Sequence, residues 1–194
     1  AWGYEYEAYD YDGYCFDMIM GGHTNLDPSV SNQAEISYGV VGTAPNRAFV
    51  ISWHMVPNLT DEHILHDFQI ALYEQTNVVE IFNAGHPELD SEGKMTVGIA
   101  SADCKGMGPY EYDYHEWDGG KWTFTPNGSD DYTMDIELPT TPTHAFGTLP
   151  VDDIVSEEDD EVYDVDLPFM FTFYGRDYDE IDVSTNGSIS FEAW

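Results

Sequence analysis

The sequence predicts an all-β chain folded as an antiparallel β-sandwich of the jelly-roll or immunoglobulin-like kind, and three observations carry that expectation. Apolar residues recur with a period of two along one segment after another, turn residues punctuate those segments, and no stretch shows a convincing helical period. Alternation is what a sheet with one buried face requires, because successive side chains of a strand point to opposite faces. Many short strands at this spacing point to two sheets packed face to face.

In chain order, Phe49, Ile51, Trp53 and Met55 share one face of an extended segment, and Phe68, Ile70 and Leu72 share one face of the next. Met95, Val97 and Ile99 follow, then Trp122 with Phe124, then Tyr132, Met134, Ile136 and Leu138. The longest run is Tyr163, Val165, Leu167, Phe169, Phe171 and Phe173, followed by Ile181 with Val183 and by Ile189 with Phe191. Turn signals lie between: Gly21-Gly22, Pro45-Asn46, Pro57-Asn58, Gly85 to Pro87, Gly119-Gly120, Asn127-Gly128 and Asn186-Gly187. Asn-Gly between two alternating runs is the strongest short-range hairpin signal, so Asn186-Gly187 is predicted to join two antiparallel strands. Thr60 to Asp67 is predicted to make one turn of helix at most.

Charge narrows the partners. Against 38 Asp and Glu stand 5 Lys and Arg, a formal net charge of −33. Binding nucleic acid relies on cationic side chains that displace counterions, so nucleic acid and anionic membranes are excluded as expected partners. Acidity of this kind in a disordered tail would come with few aromatic residues, yet Tyr, Phe and Trp make up 15% of this chain, so a folded domain with an acidic surface is expected. Its carboxylates repel one another and need either screening by salt or neutralisation by bound cations. No run of eighteen apolar residues occurs, so no membrane insertion is expected, and Ala1 to Asp12 lack the basic-then-apolar pattern of a signal peptide, which reads as a mature or excised segment.

Cys15 and Cys104 are the two cysteines. They suit one disulfide in an oxidising compartment, where closing so long a loop is worth about 4 kcal/mol in the chain-entropy model, with two unlinked thiols as the alternative. Three sequons, beginning at Asn58, Asn127 and Asn186, are compatible with glycosylation outside the cell. From Leu138 to Pro150 three prolines and no charge interrupt the pattern. The expected organisation is therefore a sandwich core over 1–138, a Pro/Thr linker over 139–151, and a closing segment over 152–194.

Leu167-Pro168-Phe169-Met170-Phe171-Thr172-Phe173-Tyr174-Gly175, continuing to Val183-Ser184-Thr185-Asn186-Gly187-Ser188-Ile189-Ser190-Phe191, resembles the opening strands of a nidogen-like extracellular β-sandwich repeat of prokaryotic secreted and surface proteins. The closing half of such domains is similar to Ala44-Pro45-Asn46-Arg47 with Phe49-Val50-Ile51-Ser52-Trp53, to Phe68-Gln69-Ile70-Ala71-Leu72-Tyr73-Glu74-Gln75-Thr76-Asn77, and to Thr96-Val97-Gly98-Ile99. The resemblance implies that the FYG and Thr-Asn-Gly strands should come first, whereas here they come last, in circularly permuted order. A self-closing permutant, one unit cut from a tandem array, and a subunit that donates strands to its neighbour all give that order. The linker favours the third, since a self-closing permutant needs only a short turn. Head-to-tail donation does not close on itself and propagates into a fibre.

The expected function is accordingly that of a structural subunit of an extracellular filament or cell-surface array, a homopolymer joined through Phe169, Phe171, Phe173, Ile181, Val183, Ile189 and Phe191. No Gly-x-Ser-x-Gly elbow, P-loop or His-Glu-x-x-His is present, and no enzyme is expected. Calcium, which takes six to eight oxygen ligands, is the candidate cofactor, with Asp10 and Asp12 or Glu157, Glu158, Asp159 and Asp160 as ligands and a solvated acidic surface as the alternative. His63 and His66 have a spacing that suits zinc, but no third ligand is marked. The tyrosine-rich start, Trp2 to Tyr14, suits one aromatic face of a strand. Aromatics beside carboxylates also suit sugars, which makes a calcium-dependent glycan-binding adhesin the second reading.

Overall fold

The computed structural model describes residues 16–84, 95–103, 106–112, 119–137, 152–154 and 159–192. Thirteen strands lie among them: β1 (Met18–His23), β2 (Glu35–Thr43), β3 (Asn46–Pro57), β4 (Leu65–Tyr73), β5 (Val79–Asn83), β6 (Met95–Ala100), β7 (Gly106–Tyr112), β8 (Gly120–Pro126), β9 (Tyr132–Glu137), β10 (Asp152–Ile154), β11 (Val162–Phe173), β12 (Arg176–Ser184) and β13 (Ser188–Ser190). A single 3-10 turn, Pro28–Val30, is the helical element among the described residues, capped by the Asp27 carboxylate. Among these residues no helix is long and apolar enough to cross a membrane.

Two sheets form, with every pairing antiparallel. One runs β11-β12-β13-β1-β6-β7 and the other β10-β2-β3-β4-β5-β8-β9. The alternating runs read from the sequence point their apolar sides into the space between, except that the ladder shifts after Trp53 and puts Val56 in the core in place of Met55. Phe49, Ile51 and Trp53 of β3, Phe68, Ile70 and Leu72 of β4, and Trp122 and Phe124 of β8 face Phe171 and Phe173 of β11, Ile181 and Val183 of β12, and Ile189 of β13 in one continuous core. Trp53 stacks on Phe68 with ring centroids 4.9 Å apart. Its indole N–H donates to the Ser184 carbonyl at 3.2 Å, so this buried indole has its donor paired.

Asn186-Gly187 turns β12 into β13 as the sequence predicts, with Gly187 at φ 84°. Gly21-Gly22, read from sequence as a turn, lies instead inside β1. A Cβ built on Gly21 would fall 2.8 Å from the Phe68 ring and one on Gly22 2.9 Å, so these glycines mark a strand pressed against β4 rather than a reversal. No helical turn forms over Thr60 to Asp67, where residues 61–63 make a simple turn held by the Ile64 N–H on the Asp61 carbonyl. β2 and β5 had no strand assigned from sequence. Pro168 sits in β11 at the edge of its sheet, where the ladder to β12 breaks between Asp166 and Phe171 and a missing N–H is tolerated.

Phe171 is fully buried and stacks parallel to Phe191 at 5.8 Å. Phe171→Ala is expected to lower unfolding free energy by about 3–5 kcal/mol in denaturant titrations.

Candidate functional site

The seam where β11, β12 and β13 join the rest of the chain gathers most of the residues singled out from sequence. β13 lies between β12 and β1, with Met18 opposite Ser190, Ile19 opposite Ile189 and Met20 opposite Ser188. The strands that end the sequence thus flank the strand near its beginning. Phe169, Phe171, Phe173, Ile181, Val183, Ile189 and Phe191 are all 9% exposed or less. Every side chain expected to fill a groove does fill one, and it is the groove of the same chain.

One end of the seam is a backbone clasp. The N–H groups of Gly21 and Gly22 both donate to the Gly187 carbonyl, at 3.1 and 3.3 Å, and the Leu26 N–H donates to Asn186 Oδ1 at 2.8 Å. Asn186 Nδ2 donates in turn to Asp160 Oδ1 at 2.8 Å. Gly187 is required here twice over: its φ is positive, and a Cβ would meet the Gly22 carbonyl oxygen at 2.6 Å.

The opposite end is polar and aromatic, and it brings together residues of the Ala-Pro-Asn-Arg, Leu-Tyr-Glu and Thr-Asn segments. Arg47 and Glu74 form a bidentate pair, Nε to Oε2 and Nη2 to Oε1 both at 2.8 Å, tying the start of β3 to the end of β4. The guanidinium also lies 5.3 Å from the Phe169 ring centre, a cation–π contact that carries the pair across to β11. The hydrogen bond to Arg47 holds the Glu74 carboxyl below its ordinary range, and the same bond raises Arg47. Asn77, in the β4–β5 turn at φ 51°, accepts from the Thr172 N–H of β11 at 3.0 Å.

Beside this junction Asp17 is buried, at 1% exposure. Its carboxylate accepts from the Ala102 N–H at 2.6 Å, the Tyr178 hydroxyl at 2.5 Å and Arg176 Nη1 at 3.3 Å, so one acid links β1, the residues after β6, and β12. Tyr132 and Tyr174 pack edge to face at 5.0 Å close by. Burial pushes the phenols of Tyr132, Tyr174 and Tyr178 well up, and they stay neutral hydrogen-bonding groups.

This pattern of two sheets, with its motif residues converging on the seam, agrees with a scan against protein-family models. The model described as NIDO related matches residues 16–125 and 139–194. The chain belongs to this NIDO-related family. No curated protein and no solved structure matches it.

The other predicted sites of the NIDO-related chain are spread apart. Asp10, Asp12, Glu157, Glu158, Cys15 and Cys104, with the Trp2 to Tyr14 aromatics, lie outside the described residues. Asp159 is described, and burial followed by the charges of Asp160 and Asp27 raises its carboxyl. Among the described residues no group of three or more His, Cys, Asp or Glu is placed to hold a metal ion. His63 is exposed and His66 fully buried, which separates the proposed zinc pair. Of the sequon asparagines, Asn58 is 3% exposed and its Oδ1 accepts from both the N–H and the hydroxyl of Thr60. Asn186 is engaged in the clasp, and Asn127 is exposed in the β8–β9 turn.

Two features missed in sequence concern charge. In the β11–β12 ladder Asp164 stands opposite Asp182 and Asp166 opposite Glu180, and like charges facing across strands repel. Raising sodium chloride from about 0.1 to 1 M, which shortens the Debye length from roughly 10 to 3 Å, is expected to raise the melting temperature. A salt-independent melting curve would contradict this. Glu74→Gln is expected to lower the melting temperature at neutral pH. Because the folded-state carboxyl titrates below its unfolded value, its stabilisation is present above the unfolded pKa and is lost as pH falls through the folded one. The gap between wild type and variant should therefore close in acid.

Proposed function

We propose that the protein is a non-catalytic structural subunit of an extracellular filament or cell-surface array, a NIDO-related sandwich with permuted strand order whose copies join by exchanging residues 152–194. The observation that supports this most is the placement of β13 beside β1. It makes the closing segment a separable unit: three of the six strands of one sheet and an edge strand of the other, with a set of core side chains, held to the remainder by two short ladders, β13 on β1 and β10 on β2, and the two ends of the seam. The same ladder, Phe side chains and Arg47–Phe169 contact can be made by the segment of a neighbouring copy, which is the condition for strand donation. Donation repeated head to tail propagates, because each copy's groove is then filled by its neighbour's segment in place of its own.

Negative-stain electron microscopy and light scattering of native material test the reading. Regular multimers that are lost on deletion of 152–194, with the deletion variant capped as a one-to-one complex when that segment is supplied in trans, are expected. Monomers of the full chain at every concentration would overturn subunit exchange.

A further inference from the structure

The sequence holds two Asn-Gly pairs, Asn127-Gly128 and Asn186-Gly187, and the fold puts them in opposite surroundings. Such a pair is chemically reactive because glycine has no side chain to shield its backbone nitrogen. That nitrogen can reach the side-chain carbonyl carbon of the preceding asparagine and close a five-membered ring. Three conditions govern the step: the asparagine amide must be free to rotate, the glycine N–H must not be held in a hydrogen bond, and the backbone between them must be able to bend.

Asn186-Gly187 meets none of them. Asn186 Oδ1 accepts from the Leu26 N–H and its Nδ2 donates to Asp160 Oδ1, both at 2.8 Å, so the amide is fixed at both ends. The Gly187 N–H donates to the Ser184 carbonyl at 3.2 Å. Gly21 and Gly22 hydrogen-bond to the Gly187 carbonyl, which pins the turn to β1. Ring closure there has to wait for the clasp to open, and its rate is cut by the small fraction of molecules that are open.

Asn127-Gly128 meets all three. Both residues are exposed, in a bend over 128–130 between β8 and β9 that is tied by the Asn127 N–H on the Asp131 carbonyl at 2.8 Å. No described residue takes the Gly128 N–H or pairs with the Asn127 side-chain amide. A Cβ built on Gly128 would find nothing within 4 Å, so this part of the bend can move without displacing a packed neighbour.

We propose that Asn127-Gly128 is a site of self-modification in the folded protein, where asparagine converts to aspartate and isoaspartate while Asn186 is preserved. The Gly128 nitrogen gives its proton to solvent base and bonds to Asn127 Cγ. The Cγ–Nδ2 bond breaks, and the amide nitrogen takes a proton from water and leaves as ammonia. Water then opens the ring at one of two carbons. Attack at Cγ gives aspartate, and attack at the Asn127 main-chain carbonyl carbon gives isoaspartate, whose chain runs through Cβ and Cγ. One water is consumed and one ammonia released, with no change of oxidation state.

Either product adds a carboxylate beside Asp130 and Asp131. Isoaspartate also lengthens the backbone by a carbon, in a bend on which the closing hairpin rests. The Ser129 carbonyl oxygen sits against Gly175 of the β11–β12 turn so closely that a Cβ on Gly175 would collide with it. Conversion at Asn127 therefore loosens the polar end of the seam.

The test ages the full chain, made in a host that adds no glycans, in mildly alkaline buffer, and reads both sites by peptide mapping that resolves Asn, Asp and isoaspartate. Free peptides spanning 125–131 and 184–190 supply the unstructured rates. In the folded protein Asn127 is expected to convert within about threefold of its peptide, and Asn186 at least roughly tenfold more slowly than its own. Asn127 slowed as much as Asn186, or Asn186 converting first, would overturn the proposal. Asn127→Gln, which would have to close a larger ring, should leave position 127 unmodified over the same period. The isoaspartyl form, separated by chromatography, should exchange the amides of 172–176 faster than the unmodified protein, and equal rates would count against the loosening.

Discussion

The close approach of β13 to β1 is the constraint on which the rest of this molecule depends. Strands lie at normal ladder spacing there, but the Asn186-Gly187 turn also drives its backbone against Gly22 and the Phe68 ring, where a single added Cβ would collide. Three glycines, Gly21, Gly22 and Gly187, are spent on that approach. Through it the closing segment gains its hydrogen bonds to β1, its aromatic residues reach the space between the sheets, and the two sheets become one core. Without it the side facing β3 and β4 would expose a run of apolar residues too long for a stable monomer.

Polar interactions at the other end of the seam work differently. Arg47, Glu74, Asp17 and Tyr178 supply direction more than energy, since ion pairs with partly exposed members contribute little on their own. Their value lies in geometry. A bidentate guanidinium–carboxylate pair beneath Phe169, and a buried carboxylate that accepts from both β12 and the residues after β6, admit one registration of β11 and β12 against the other sheet. A segment bound by apolar burial alone could slide, and a one-residue slip would turn each of its phenylalanines to solvent. The same polar groups would specify the registration if the segment came from a neighbouring copy.

Surface charge sets the opposing force. Facing carboxylates in the β11–β12 ladder work against the hairpin that the aromatic core holds in place, and they also keep its exposed edge from pairing with stray strands. In sequence, the stretch 138–151 carries no Asp, Glu, Lys or Arg.

By itself the sequence determined the strands whose pattern is strictly periodic, such as β3, β4, β8 and β11, because a period of two follows from backbone geometry and needs no partner to be visible. It determined the Asn186-Gly187 hairpin, since only residues tolerant of positive φ make that turn, and it determined the seam's apolar side chains. It did not determine β1, because glycine signals a turn and a close backbone approach with the same letter, and only the position of Phe68 separates the two. Nor did it determine the partners of Asp17 and Arg47, which meet residues more than 25 positions away along the chain. Of the sequons, sequence could not separate exposed Asn127 from buried Asn58, because solvent access belongs to the packed sheets and not to the triplet. Strand order decided the rest: that β9 and β10 are opposite edges of one sheet is a property of the ladders, and no local pattern of residues encodes it.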